Sequence, residues 1–258
     1  MTSVLCRIGG KKGKLRELII KKMPQDYNLY VEPFVGSGGV FFNAPIGDRK
    51  SVLNDSDKDI MDAYRIMKNG FTMKEYNIPQ QVEPQTRFAH GNHSNTTDKL
   101  LSLIMLSCAS FGGIGRRNNN KMYKPMSAGN IKRKLQHAYE NKEYLKNTRL
   151  FNTDYKGIIR KFDSPKTFFY LDPPYESSKK LYDSKKQGSG EFNHEELARV
   201  LKGIKGKFIL SINNSSRIRD LFKGFKQTRV FVRGGSHHEK KDINTIGYDR
   251  DELLISNY

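Results

Sequence analysis

Cysteine is scarce. Only Cys6 and Cys108 occur in 258 residues; each lies among apolar neighbours, so no disulfide framework is expected and both read as buried thiols. No spacing of Cys, His and carboxylates suggests a zinc site, and the adjacent His237 and His238 sit in a polar stretch that reads as solvated surface. No metal is therefore expected. Long apolar runs are also lacking. The longest, residues 100–109, is about half the length needed to span a bilayer, and the mean hydropathy is −0.71, so no membrane association is expected. The first residues carry no apolar core followed by a small-residue cleavage site, so the chain is expected to be cytoplasmic and not secreted. Acidic residues are outnumbered, 27 against 46 basic, for a net charge of +19. An excess of that size is the electrostatic footprint of a nucleic-acid binder. It is also clustered. Residues 116–149 hold ten Lys or Arg against Glu140 and Glu143, and residues 7–22 hold seven against Glu17.

Strand-like and helix-like segments alternate at both ends of the chain. Strands are expected over residues 29–34, 51–55, 149–152, 167–172, 207–213, 228–233 and 252–258. Helices are expected over 57–67, 98–107 (capped by Asp98), 131–146, 193–201 and 215–222, the fourth opened by Asn193 and Glu196 at capping-box spacing. Strands separated by helices imply an α/β fold with a mostly parallel sheet. The polar middle, 71–148, reads as an insertion forming a second, mostly helical lobe. This leaves 1–70 and 149–258 as one catalytic domain. The inserted lobe carries the densest basic stretch and is the candidate for DNA reading.

Two motifs carry the chemistry. In the first, Glu32-Pro33-Phe34-Val35-Gly36-Ser37-Gly38, a strand ends and glycines turn the chain beneath a potential ligand. The next strand ends at Asp55, about 20 residues on, where a carboxylate can accept both hydroxyls of a ribose. The glycine spacing does not fit Gly-x-Gly-x-x-Gly, which leaves S-adenosylmethionine ahead of a dinucleotide. The second motif is Asp172-Pro173-Pro174-Tyr175, after an apolar strand. An exocyclic amine is a poor nucleophile because its lone pair is delocalised into the ring. Two acceptors on its hydrogens, the Asp172 carboxylate and the Pro173 carbonyl, would localise that lone pair. The prolines stiffen the turn, and Tyr175 offers a face on which a flipped base can stack.

In the order of these parts the chain resembles Dam-type DNA N6-adenine methyltransferases of the alpha group, over essentially its whole length. The resemblance implies a Rossmann-like methyltransferase sheet with an inserted, mostly helical recognition domain, and transfer of a methyl group from S-adenosylmethionine to a flipped adenine in duplex DNA. It places Gly10, Lys11, Glu32, Pro33, Phe34, Gly36, Ser37, Gly38, Asp55, Asp154, Tyr155 and Asp172 around the cofactor, with Asp172, Pro173, Pro174 and Tyr175 as the catalytic turn. Residues 111–116 resemble the family's DNA-reading hairpin, which implies that Arg116 bonds a guanine and Ile114 acts as a wedge. Lys11, Lys12, Lys14, Arg117, Asn118, Lys121, Tyr123 and Lys124 complete the expected DNA contacts. A GATC-like site and a monomer or weak dimer are expected. N4-cytosine or RNA adenine methylation, and a non-catalytic DNA-binding protein on the same fold, are the alternatives. Asp172 argues against cytosine, where Ser is usual at that position.

Overall fold

The central strands are largely apolar and buried, as a parallel sheet covered on both faces requires. In the computed structural model, β6 (Thr167–Leu171) is buried at every position. The structure describes residues 4–5, 13–72, 81–82, 95–109, 126–176, 192–232 and 250–258. Around β6 lie β1 (Leu29–Glu32), β2 (Lys50–Asn54), β5 (Thr148–Phe151), β7 (Lys207–Asn213), β8 (Lys226–Val232) and β9 (Arg250–Ser256). They form one seven-stranded sheet in the order β5-β2-β1-β6-β7-β9-β8. β5, β2, β1, β6 and β7 pair in parallel, and β9 enters antiparallel between β7 and β8. The remaining strands described, β3 (Gln81–Val82) and β4 (Met126–Ser127), pair with each other.

Side chains alternate across the sheet, so it has two cores. On one face Tyr30, Phe168, Tyr170, Ile209 and Leu254 meet α1 (Gly13–Lys22), α2 (Lys58–Asn69), α3 (Thr96–Ala109) and α4 (Ala128–Glu140). On the other, Val31, Phe169, Leu171, Phe208 and Leu210 meet α5 (Tyr155–Phe162), α6 (His194–Lys202) and α7 (Ser216–Leu221). The result is a three-layer α/β/α domain of the expected class. α3 is buried around much of its circumference, at Leu100, Leu101, Leu103, Ile104 and Met105, because it lies between α2 and α4.

Several expectations need correction. The cap of α3 is Asn95, whose Oδ1 accepts from the Asp98 amide at 2.9 Å, so the helix starts two residues before the predicted Asp98. α4 opens at Ala128 rather than 131, because Ser127 Oγ accepts from the Asn130 amide; it stops at Glu140, followed by a 3₁₀ turn over Glu143–Leu145. α1 and α5 were not anticipated. Cys108 is disulfide-bonded rather than a free thiol. Its Sγ lies 3.8 Å from the carbonyl of Val4, which brings the start of the chain against the end of α3. No helix among the described residues is long and apolar enough to cross a membrane.

Candidate active site

From β1 the chain proceeds to β2 and β5 on one side, and from β6 to β7 on the other. The carboxyl ends of β1 and β6 therefore flank a topological switch point, where open α/β sheets bind ligands. Both sequence motifs sit there.

The β1 side is held by side chains that bond its backbone. Asn54, the last residue of β2, donates to the Pro33 carbonyl at 2.9 Å and to the Thr153 carbonyl at 3.0 Å, and accepts from the Thr153 amide. The amide of Val35 donates to the Asn54 carbonyl. Asp55 accepts from the Gly36 amide at 2.9 Å with one oxygen and from the Asp57 amide with the other. The carboxylate expected to meet a ribose thus also shapes the glycine turn. Gly36 and Gly38 have φ of +48° and +67°, left-handed values that favour glycine. At Gly38 a Cβ would lie 2.6 Å from the Tyr64 hydroxyl and 2.7 Å from the Phe42 ring, whereas at Gly36 it would meet open space.

Beyond the turn, Phe34 packs on Tyr155 (ring centroids 5.1 Å) and Phe192 (5.7 Å), and Tyr155 packs on Phe192 (5.6 Å). Asp154 caps α5 by accepting from the Lys156 amide, which fixes Tyr155 at the helix start. Glu32 ends β1, is 2% exposed, and accepts from the Tyr30 hydroxyl at 2.8 Å.

The β6 side is held residue by residue. Ser211 of β7 donates to Asp172 Oδ1 at 3.0 Å and is itself bonded to the Tyr170 hydroxyl at 2.9 Å. His194 Nε2 bonds the Pro174 carbonyl at 2.9 Å. The Tyr175 hydroxyl donates to Glu252 of β9 at 2.8 Å, and Glu252 is 1% exposed. The Glu176 amide donates to Asn213, and its carboxylate accepts from Ser215 and Arg217. Burial, then the charges of Asp172 and Glu252, push the Tyr175 phenol well above its ordinary value. Burial and the same carboxylates, with Glu32, do so for Tyr170 despite its bond to Ser211. Both phenols stay neutral. Three carboxylates thus act on one small polar region of the sheet.

These residues fit a nucleoside bearing a sulfonium. The aromatic trio supplies a wall for a purine ring, the open side of the glycine turn leaves room for the ligand, and the carboxylates favour a cation.

Of the predicted site residues, Glu32, Pro33, Phe34, Gly36, Ser37, Gly38 and Asp55 fall on the β1–β2 side, Asp154 and Tyr155 open α5, and Asp172, Pro173, Pro174 and Tyr175 follow β6. Gly10, Lys11, Lys12, Ile114, Arg116, Arg117, Asn118, Lys121, Tyr123 and Lys124 lie outside the described residues, and Lys14 falls in α1 with its side chain outside them. Sequence reading missed Asn54, Phe192, His194, Ser211 and Glu252. Ser211 left a signal, a polar residue between apolar neighbours inside a strand. The other four left none.

Sheet order and switch point together define a Rossmann-like α/β fold with both motif-bearing turns at its ligand-binding edge. The profile of the D12 class N6 adenine-specific DNA methyltransferases matches residues 8–234, and the chain belongs to that family. Its methyl donor is S-adenosylmethionine and its acceptor is DNA adenine. Among curated relatives it is similar to the type II methyltransferase M.CviBI of Paramecium bursaria Chlorella virus NC1A, 26% identical with 97% of each chain covered. It is likewise similar to M1.LlaDCHI of Lactococcus lactis subsp. cremoris, 24% identical over 97% of this chain and 93% of that one. A third relative is M.MjaIII of Methanocaldococcus jannaschii, 24% identical with 96% of each covered.

Proposed function

We propose that the protein is a site-specific, Dam-type adenine methyltransferase acting on a base flipped out of duplex DNA, with Asp172 and Pro173 as the acceptors that activate the adenine amine. The observation that carries this reading is the Ser211–Asp172 bond at the switch point, which orients a carboxylate where the two motifs meet. Asp172 and the Pro173 carbonyl accept the two amine hydrogens and localise the nitrogen lone pair. Tyr175, its hydroxyl tied to Glu252, presents a ring on which the extruded base stacks. When bound, S-adenosylmethionine would supply the electrophilic methyl group, its sulfur keeping the electron pair of the broken C–S bond as a thioether. Asp172 would take up the proton that the amine nitrogen gives up on methylation.

On the donor side, Phe34 and Tyr155 hold the nucleoside ring, with Glu32, Asp55 and the Gly36–Gly38 turn on the ribose and methionine. Gly10 and Lys11 extend that pocket. Residues 71–148 form the target-recognition unit, supported by their basic density and their position between β2 and β5. Within it Arg116 reads guanine of a GATC-like site, Ile114 wedges the stack, and Arg117, Asn118, Lys121, Tyr123 and Lys124 hold phosphates with Lys11, Lys12 and Lys14. The protein works as a monomer or weak dimer, in the cytoplasm.

Asp172→Ala tests the reading. Transfer of tritiated methyl groups to DNA should fall at least about 1,000-fold, the range expected when a group acting in the transition state is removed. Cofactor and DNA affinities should change only a few-fold. Normal turnover would refute it.

A further inference from the structure

His194 lies at the first turn of α6, 1% exposed, with Asn193 capping the helix by accepting from the Glu196 amide. It makes two contacts that join the halves of the site. Its Nε2 is 2.9 Å from the Pro174 carbonyl. Its ring meets Phe192 edge-on, with centroids 5.0 Å apart at 72°, and Phe192 belongs to the aromatic wall with Phe34 and Tyr155. A carbonyl can only accept, so Nε2 carries the hydrogen. Nδ1 is buried and has no hydrogen-bond partner among the described residues, which favours the same tautomer, because a proton there would be buried without an acceptor.

We infer that His194 is a positioning residue for methyl transfer: one imidazole holds the Pro174 carbonyl and, through Phe192, the donor wall, so that it sets the spacing between the cofactor and the target amine. This rests on the roles proposed above for Asp172 and Pro173. Pinning the Pro174 carbonyl fixes the Pro174–Tyr175 peptide, and because the pyrrolidine ring restrains the φ of Pro174, it also restrains the preceding peptide and the direction in which the Pro173 carbonyl points. Two substrates meeting in line tolerate little error, and a displacement of about 1 Å costs on the order of 100-fold in rate.

Three proteins separate this role from packing. His194→Leu keeps most of the volume without a donor, His194→Gln places an amide N–H near Nε2, and Asp172→Ala tests the underlying reading. Under single-turnover conditions His194→Leu should slow methyl transfer by about 10- to 100-fold. Its affinities for S-adenosylmethionine and for duplex DNA should stay within about threefold, and His194→Gln should recover at least a third of the lost rate on a logarithmic scale. A packing role alone would lower the melting temperature of both variants and leave the chemical step unchanged. Wild-type transfer by His194→Leu, or equal rates for Leu and Gln, overturns the inference. If those results come with an inactive Asp172→Ala, the catalytic reading stands and only the role of His194 fails. Should His194→Leu not fold, ¹⁵N-histidine NMR of the native protein decides: an Nε2–H tautomer with a slowly exchanging proton supports the tether, and an Nδ1–H tautomer overturns it.

Discussion

The two sides of the site are held in place by different balances of contacts. On the donor side, side chains grip backbone: Asn54, Asp55 and Tyr64 bond the peptide groups of residues 33–36. On the acceptor side, side chains also grip the functional groups: Ser211 bonds the Asp172 carboxylate and Glu252 the Tyr175 hydroxyl, beside the bonds of His194 and Asn213 to the backbone. A backbone shape held by several bonds serves binding and is costly to deform. A carboxylate aimed in part by a neighbouring hydroxyl can be misaimed without loss of fold. Damage to the donor side should therefore appear in stability and affinity, and damage to the acceptor side in rate.

The strongest test of the contrast on the donor side is Gly38→Ala. The left-handed backbone costs an Ala about 1–2 kcal/mol, and forcing Cβ against Tyr64 and Phe42 adds about 1–3 kcal/mol. Chemical denaturation should show a loss of about 2–5 kcal/mol, with weakened binding of S-adenosylmethionine in calorimetry. A stable variant that binds normally but transfers slowly would break the distinction.

Ser211→Ala is the matching test on the acceptor side. Asp172 loses its aiming hydrogen bond, and kcat should fall about tenfold, the equivalent of 1.4 kcal/mol lost from the transition state. KM for the cofactor should change less than about threefold. A rise in KM with unchanged kcat would place Ser211 in ground-state binding instead.

The smallest effect is expected at the rim. Burial alone would raise the Glu176 carboxyl, but Ser215 and Arg217 outweigh it and hold the group below its ordinary value of 4.5. A carboxyl lowered by folding adds stability above its unfolded value and loses it as pH falls through the folded one. The melting temperature of Arg217→Ala should therefore lie slightly below that of the native protein at pH 7, and the gap should shrink as the pH falls below 4.5 and Glu176 and Glu195, both bonded to Arg217, take up protons. A gap that does not change with pH would mean that the arginine acts other than through these carboxylates.

The extent to which the sequence disclosed all this varies by element. β6 was legible because four consecutive apolar or aromatic residues after Thr167 read as a short strand covered on both faces, and α6 because Asn193 and Glu196 mark a helix start. α5 carried a legible helical period in Tyr155, Ile158, Ile159 and Phe162, obscured by reading residues 152–155 as a motif alone. α1 was hidden by its lysines: Leu15 and Ile19 are one turn apart, but a basic segment reads first as a surface. The disulfide at Cys108 was not legible, since two cysteines in a chain of this composition more often remain thiols.

By itself the sequence determined the class of fold, the two motifs and the family they point to, because strand periodicity, glycine turns and a carboxylate before two prolines are local properties. Only the tertiary structure decided how those groups are aimed. Ser211, Glu252 and His194 reach the catalytic turn from 39, 77 and 20 residues away. Contacts over such separations arise from the order of strands in the sheet and the faces their side chains share, which no local pattern encodes.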